Sequence, residues 1–301
     1  MRPDNLAHLR TPGPAAVSPD GRMAVVSVTR PDLEADEYRA RLWAVPTDGS
    51  ARPRPLTGGA RDTAPAFSPD GRWLAFLRAE PEGGPEPVQL TDGDADDTDV
   101  AWHPDGDELA FVSARHPGAD RDLVHDVYVV PAGGGDPRRV TDGRGSCALP
   151  AYAPDGTLVV TAEPDLGPDG VDVVARSPVP CVVDAGTGRL RPLLDPEEHH
   201  RGDATPATVL DGDAALVGVE RRGAVELLRV PLDGGPATTL VDGPFAVTGI
   251  GTGGGVVVAT VAHDRSAGEL VALTPGSRRL LTSAGRRLGA TGRLHRPEER
   301  T

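Results

Sequence analysis

Apolar residues in this chain fall in short runs rich in Val, Leu, Ala and Phe, broken by Pro, Asp and Gly. The 3.6-residue spacing of an amphipathic helix never persists, so the pattern predicts strands and tight turns. One unit recurs. Ala16-Val-Ser-Pro-Asp-Gly-Arg-Met-Ala-Val returns as Ala66-Phe-Ser-Pro-Asp-Gly-Arg-Trp-Leu-Ala-Phe, as Ala101-Trp-His-Pro-Asp-Gly-Asp-Glu-Leu-Ala-Phe and as Ala151-Tyr-Ala-Pro-Asp-Gly-Thr-Leu-Val-Val. Val209-Leu-Asp-Gly-Asp-Ala-Ala-Leu-Val is a worn copy, and Gly253-Gly-Gly-Val-Val-Val stands as a sixth. Pro presets φ at the first corner, Asp caps the turn and Gly takes the left-handed conformation that closes it, so each unit reads as a hairpin.

A second element follows each hairpin: an apolar strand, a Pro/Asp/Gly turn, and a strand ending in Leu-Thr or Val-Thr. Leu42-Trp-Ala-Val-Pro-Thr-Asp-Gly to Leu56-Thr57 and Val127-Tyr-Val-Val-Pro-Ala-Gly-Gly-Gly to Val140-Thr141 are examples. Two hairpins make a four-stranded antiparallel sheet, which needs neighbouring sheets to cover its faces. Gly21 and Gly71 lie 50 residues apart, as do Gly106 and Gly156, a period that suits propeller blades. The expected fold class is therefore all-β, a β-propeller of six recognisable four-stranded blades, or seven if the chain ends complete another. Gly71 and Gly106 are only 35 residues apart, so the second blade is expected to be truncated, lacking its third strand and turn between Glu80 and Pro87.

Composition narrows the partners. The formal net charge of -14 opposes binding to nucleic acid or to an anionic membrane. Every basic residue other than histidine is arginine, no apolar stretch approaches the length of a membrane span, and Met1 to Ala16 has no apolar core of the kind a signal peptide needs. Two cysteines, Cys147 and Cys181, are too few for a disulfide framework or a zinc site and read as small core residues. A cytoplasmic protein without metal or cofactor is the expectation.

The Ser-Pro-Asp-Gly-Arg-Trp-Leu-Ala-Phe repeat, the Val-Pro-Leu-Asp-Gly-Gly turn at Val230–Gly235 and the Leu-Thr endings resemble the N-terminal propeller of prolyl oligopeptidase family serine peptidases, in the acylaminoacyl-peptidase and dipeptidyl-aminopeptidase-like branch. The repeat alone is shared with TolB-like propellers, for which a stand-alone interaction scaffold is the alternative reading. The resemblance assigns residues 1–285 to the propeller and 286–301 to a connector toward an α/β-hydrolase domain that this chain lacks. It implies a non-catalytic part that gates short peptides on their way to a hydrolase domain or separate subunit. The nucleophile elbow Gly-x-Ser-x-Gly does not occur: Asp264-Arg-Ser-Ala-Gly268 and Leu281-Thr-Ser-Ala-Gly285 lack its first glycine, so no catalytic residue carries over.

Candidate chemistry is correspondingly sparse. Glu197 and Glu198, in Glu-Glu-His-His, and Glu34 and Glu37, in a polar insertion of the first blade, are the candidate substrate-contact residues; in related dipeptidyl peptidases a propeller Glu pair holds the substrate ammonium. The acidic run Asp92–Asp99 departs from a calcium loop, with Asp97 where Gly is required and His103 where a bidentate Glu is required. His125-Asp126 and His263-Asp264 are sequence neighbours, which in a strand point to opposite faces. Trp43, Trp73 and Trp102 are expected in packing between blades.

Overall fold

The computed structural model describes residues 3–59, 61–68, 70–72, 74–78, 89–174, 176–202 and 205–291. After a short 3-10 helix at Pro3–His8, strands β1 (Thr11–Val17), β2 (Met23–Asp32), β3 (Glu37–Pro46) and β4 (Arg54–Pro55) pair in chain order into one antiparallel sheet. β5 (Asp62–Phe67) pairs β6 (Leu74–Arg78). The next sheet holds β7 (Asp97–Trp102), β8 (Glu108–Ser113), β9 (Asp126–Pro131) and β10 (Arg138–Arg139). Another holds β11 (Ser146–Tyr152), β12 (Leu158–Glu163), β13 (Val179–Val183) and β14 (Leu190–Pro192). Then follow β15 (Val209–Asp211), β16 (Ala214–Arg221), β17 (Ala224–Pro231) and β18 (Thr238–Val241), and last β19 (Ala246–Gly253), β20 (Val256–His263), β21 (Ser266–Thr274) and β22 (Ser277–Leu280). These two sets share one sheet through a single parallel pair, Val225 opposite Ala246. A helical turn, α1 (Arg286–Gly289), closes the described chain. The expected defect of the second blade, between Glu80 and Pro87, lies outside the described residues.

The Pro-Asp-Gly units form the β1–β2, β5–β6, β7–β8 and β11–β12 hairpins, as their chemistry dictates. At the first, Asp20 Oδ1 accepts the Ser18 hydroxyl at 2.6 Å and the Arg22 amide at 3.1 Å, while Gly21 sits at φ 71°. The blade-ending threonines explain themselves in the same way. Thr141 Oγ1 accepts the Val127 amide at 2.9 Å and donates to buried Asp126 at 2.6 Å. Thr282 repeats the pattern with the Leu270 amide and Glu269, and Thr91 donates to Asp97 at 2.6 Å. The segments that follow β10 and β22 are thereby pinned to β9 and β21 by a hydroxyl between an amide and a carboxylate, which satisfies groups that burial would otherwise penalise.

The chain divides into two compact units. The larger apolar core of the second, residues 84–221 and 227–239, gathers Ala110, Val127, Val160, Cys181, Val217 and Val230 from three successive sets of strands. Both cysteines are free and buried there; burial pushes the Cys181 thiol up to about 12 and the Cys147 thiol up as well, so neither is a nucleophile.

In the first unit, residues 1–83, 222–226 and 240–301, the N-terminal strand packs on the last sheet. Val17 and Val26 share a core with Val258 and Leu270, and Thr260 Oγ1 donates to the Gly13 carbonyl at 2.8 Å. On β19, Gly249, Gly251 and Gly253 alternate onto one face, where a Cβ would collide with Pro14, with the Ala15 carbonyl and with the Ser18 carbonyl respectively. Trp43 packs on this core, as expected, but Trp102 is 59% exposed near the end of edge strand β7, contrary to the packing role expected of it. Trp73 lies outside the described residues.

Candidate functional site

The sequence-derived contact residues occupy two unrelated local settings. Glu34 is exposed in the β2–β3 turn. Glu37, opening β3, faces Arg39 at 3.0 Å and Arg61 at 3.6 Å, so its carboxylate is already engaged. Glu197 and Glu198 are exposed in a turn organised by Asp195, whose side chain accepts the Glu197 amide at 2.8 Å and whose carbonyl accepts the His199 amide at 3.0 Å. Both of these carboxylates are free of ion pairs among the described residues.

Next to that turn, in the second unit, is a cluster that sequence reasoning missed. The Ser177 hydroxyl lies 2.8 Å from His200 Nδ1. Arg201 turns inward and donates to Thr161 Oγ1 at 3.0 Å, Thr208 Oγ1 at 3.1 Å and the Pro206 carbonyl at 2.7 Å. No described carboxylate pairs with it, its Nε is buried without a partner, and desolvation lowers its pKa. A guanidinium held by neutral groups at the root of a two-glutamate turn can receive a carbonyl or carboxylate, while the glutamates above receive a cation. The sequence carried no signal for it: a lone Arg in Arg-Gly-Asp reads as surface.

The same unit has a cavity of about 510 Å³ lined by Asp122, Asp126, Asp165 and Asp169 together with His116, Arg139 and Arg144. His116 Nε2 sits 3.0 and 3.1 Å from the two Asp122 oxygens, and its Nδ1 is buried without a partner. Burial opposes ionisation of Asp122, but the Val124 amide and His116 outweigh it and hold the carboxyl below its usual range. Asp126 and Asp165 are paired with Arg139 at 3.4 Å and Arg144 at 2.8 Å. Most of the charge here is spent on holding loops together.

The serines of the two Ser-x-Gly segments have structural surroundings. Ser266 Oγ lies within 2.9 Å of Glu269 and 3.1 Å of the Gly268 carbonyl, and Ser283 opens the turn into α1, its carbonyl accepting the Arg286 amide. His125 and Asp126 diverge, with Asp126 turned to Thr141 and His125 to the Leu123 carbonyl. His263 and Asp264 do meet, at 3.2 Å, because Asp264 has left the strand for the β20–β21 turn and alternation no longer applies. In the acidic run, Asp97 is bound to Arg115 at 2.6 Å and Asp99 accepts the Leu149 amide at 2.9 Å. Ser177–His200 lacks a described carboxylate on the imidazole, and it is not presented by a strand–turn–helix elbow.

No family model matches the sequence. Dipeptidyl-peptidase 5 of Porphyromonas gingivalis, a prolyl oligopeptidase family member, is 37% identical over 65 residues, 22% of this chain and 10% of that protein. Acylaminoacyl peptidase of Pyrococcus horikoshii superposes with a TM-score of 0.68 at 13% identity, covering 95% of this chain and 54% of the peptidase. The β-propeller domain of the Trilobed protease of Pyrococcus furiosus gives 0.63 at 14% identity, covering 92% of this chain and 97% of that domain. A Mycobacterium tuberculosis puromycin-hydrolyzing peptidase gives 0.61 at 16% identity, with 94% and 55% covered. The chain thus has the β-propeller fold and resembles the propeller portion of these peptidases, spanning about half the length of the two whole enzymes.

Proposed function

We propose that this chain is the propeller part of a prolyl oligopeptidase-like serine peptidase and controls which peptides reach an α/β-hydrolase domain or subunit. The observation that carries the reading is the likeness of 95% of the chain to 54% of an acylaminoacyl peptidase and of 92% of it to 97% of a separate propeller domain. On this reading selection is steric: a folded protein is too wide for the openings of a propeller, whereas a short peptide passes. The turn bearing Glu197 and Glu198 above Arg201 supplies contacts for the two ends of such a peptide, carboxylates for an ammonium and a guanidinium for a carbonyl. Cytoplasmic residence belongs to the same proposal, since two free cysteines persist in a reducing compartment.

The test is to fractionate the native protein under non-denaturing conditions and label it with a serine-reactive phosphonate. A labelled hydrolase domain, either continuous with this chain or co-eluting with it, is expected. Elution of the chain free of any labelled polypeptide would count against the proposal.

A further inference from the structure

A basic surface lies in the first unit. A cavity of about 960 Å³ is walled on one side by the face of β2 and β3 and on the other by β21, β22 and the turn into α1. Strand register sets the composition of the first wall: Val26 stands opposite Trp43, Val28 opposite Arg41 and Arg30 opposite Arg39. The surface thus runs from apolar to strongly basic. Leu280, 63% exposed, extends the apolar surface from the other side, over the buried Leu270 and Leu281.

Among the described residues, seven arginines line this cavity and no carboxylate does, in a chain whose net charge is -14. Arg39 is neutralised from outside by Asp32 and Glu37, each at 3.0 Å. The other six, Arg10, Arg30, Arg41, Arg52, Arg286 and Arg287, have no ion-pair partner among the described residues. Arg41 Nε is shielded from solvent without a hydrogen-bond acceptor. The Arg10 pKa is lowered by desolvation and by repulsion from Arg30 and Arg287. Gathering like charges and leaving a buried donor unmet both oppose folding. The same arrangement presents several guanidinium forks to one space, and each fork matches a phosphate or carboxylate bidentately. Its volume and mixed lining are those of a small-molecule site.

We infer that this cavity binds a small polyanion, a molecule with at least two phosphate or carboxylate groups attached to an apolar part that rests on Val28, Trp43 and Leu280. The two sources of charge are separated by probe. Pyrophosphate and ATP represent phosphate, citrate represents carboxylate, and adenosine is the uncharged control.

Isothermal titration calorimetry and thermal unfolding of the full chain test the inference. At least one anionic probe is expected to bind saturably at one site, with Kd at or below about 1 mM in low salt. It should raise the melting temperature on the order of 5 °C near saturation and weaken as salt is added. Phosphate-only or carboxylate-only binding identifies the source, and either supports the site. The double variant Arg10→Gln/Arg41→Gln should abolish binding while its ligand-free melting temperature stays level or rises, because repulsion is relieved. The exposed pair Arg286→Gln/Arg287→Gln should weaken binding at least tenfold without disturbing the core. Absence of saturable binding by all three anions, adenosine binding equal to ATP, or unchanged affinity in both double variants would overturn it.

Discussion

The hydroxyl of Thr141 holds an amide and a carboxylate at once, with Asp126 left 1% exposed behind it. Thr141→Val removes the acceptor for Val127 and a donor to Asp126, and is expected to lower stability by about 1–3 kcal/mol in urea unfolding. Asp62 and Asp97 give the pH dependence. Arg78 bonds Asp62 and lowers its pKa; at Asp97 burial works the other way, but Arg115 and Thr91 outweigh it and the pKa is again lowered. A carboxyl depressed in the folded state contributes stability above its unfolded pKa of about 4, and loses it as pH falls through the lower folded value. Stability should therefore decline below about pH 4, and Asp62→Asn should flatten that decline in acid titrations followed by circular dichroism. Legibility is mixed at this scale. The Leu-Thr endings were visible as a pattern, but the buried carboxylates they serve come from other strands, so their role needed the fold. Arg201 was invisible because its partners, Thr161 and Pro206, are distant or neutral in sequence.

Strands and turns were the most legible level, since Pro-Asp-Gly corners are local chemistry. What escaped sequence reading are features made by two elements meeting. Gly249, Gly251 and Gly253 read as ordinary glycines near a turn, yet their face is bare because β1 lies against it. Gly251→Ala drives a methyl into the Ala15 carbonyl and is expected to destabilise the protein by about 1–3 kcal/mol. Gly133→Ala, where a Cβ meets nothing within 4 Å, should change stability by less than about 0.5 kcal/mol in the same chemical denaturation series. The β-bulges were equally hidden. Register shifts in β5, β7 and β11 coincide with Ala64, Asp99 and Leu149 at φ 48°, 52° and 50°. Side chains resist that conformation, so Leu149→Gly at this partly exposed site should be stabilising or neutral.

At the scale of the molecule, the period of about 50 residues pointed to the propeller class, because four-stranded propeller blades repeat at about 40–50 residues. Function was less legible. The proposed gating depends on what surrounds the chain, and of the site residues chosen from sequence Glu37 is held by two arginines while Glu34, Glu197 and Glu198 lie in exposed turns, surroundings that only the fold supplies. α1 belongs to this scale too: it buries Leu288 and brings Arg286 and Arg287 to the arginine-lined cavity.

The central claim is that this chain selects peptides and does not cleave them. Hydrolysis of acylaminoacyl and aminoacyl nitroanilides by the purified chain tests it most directly, because Ser177–His200 is the one described serine–imidazole contact as short as 2.8 Å. The account predicts no turnover above the uncatalysed rate, with wild type and Ser177→Ala indistinguishable. Turnover that a serine-reactive phosphonate stops and that Ser177→Ala lacks would contradict it.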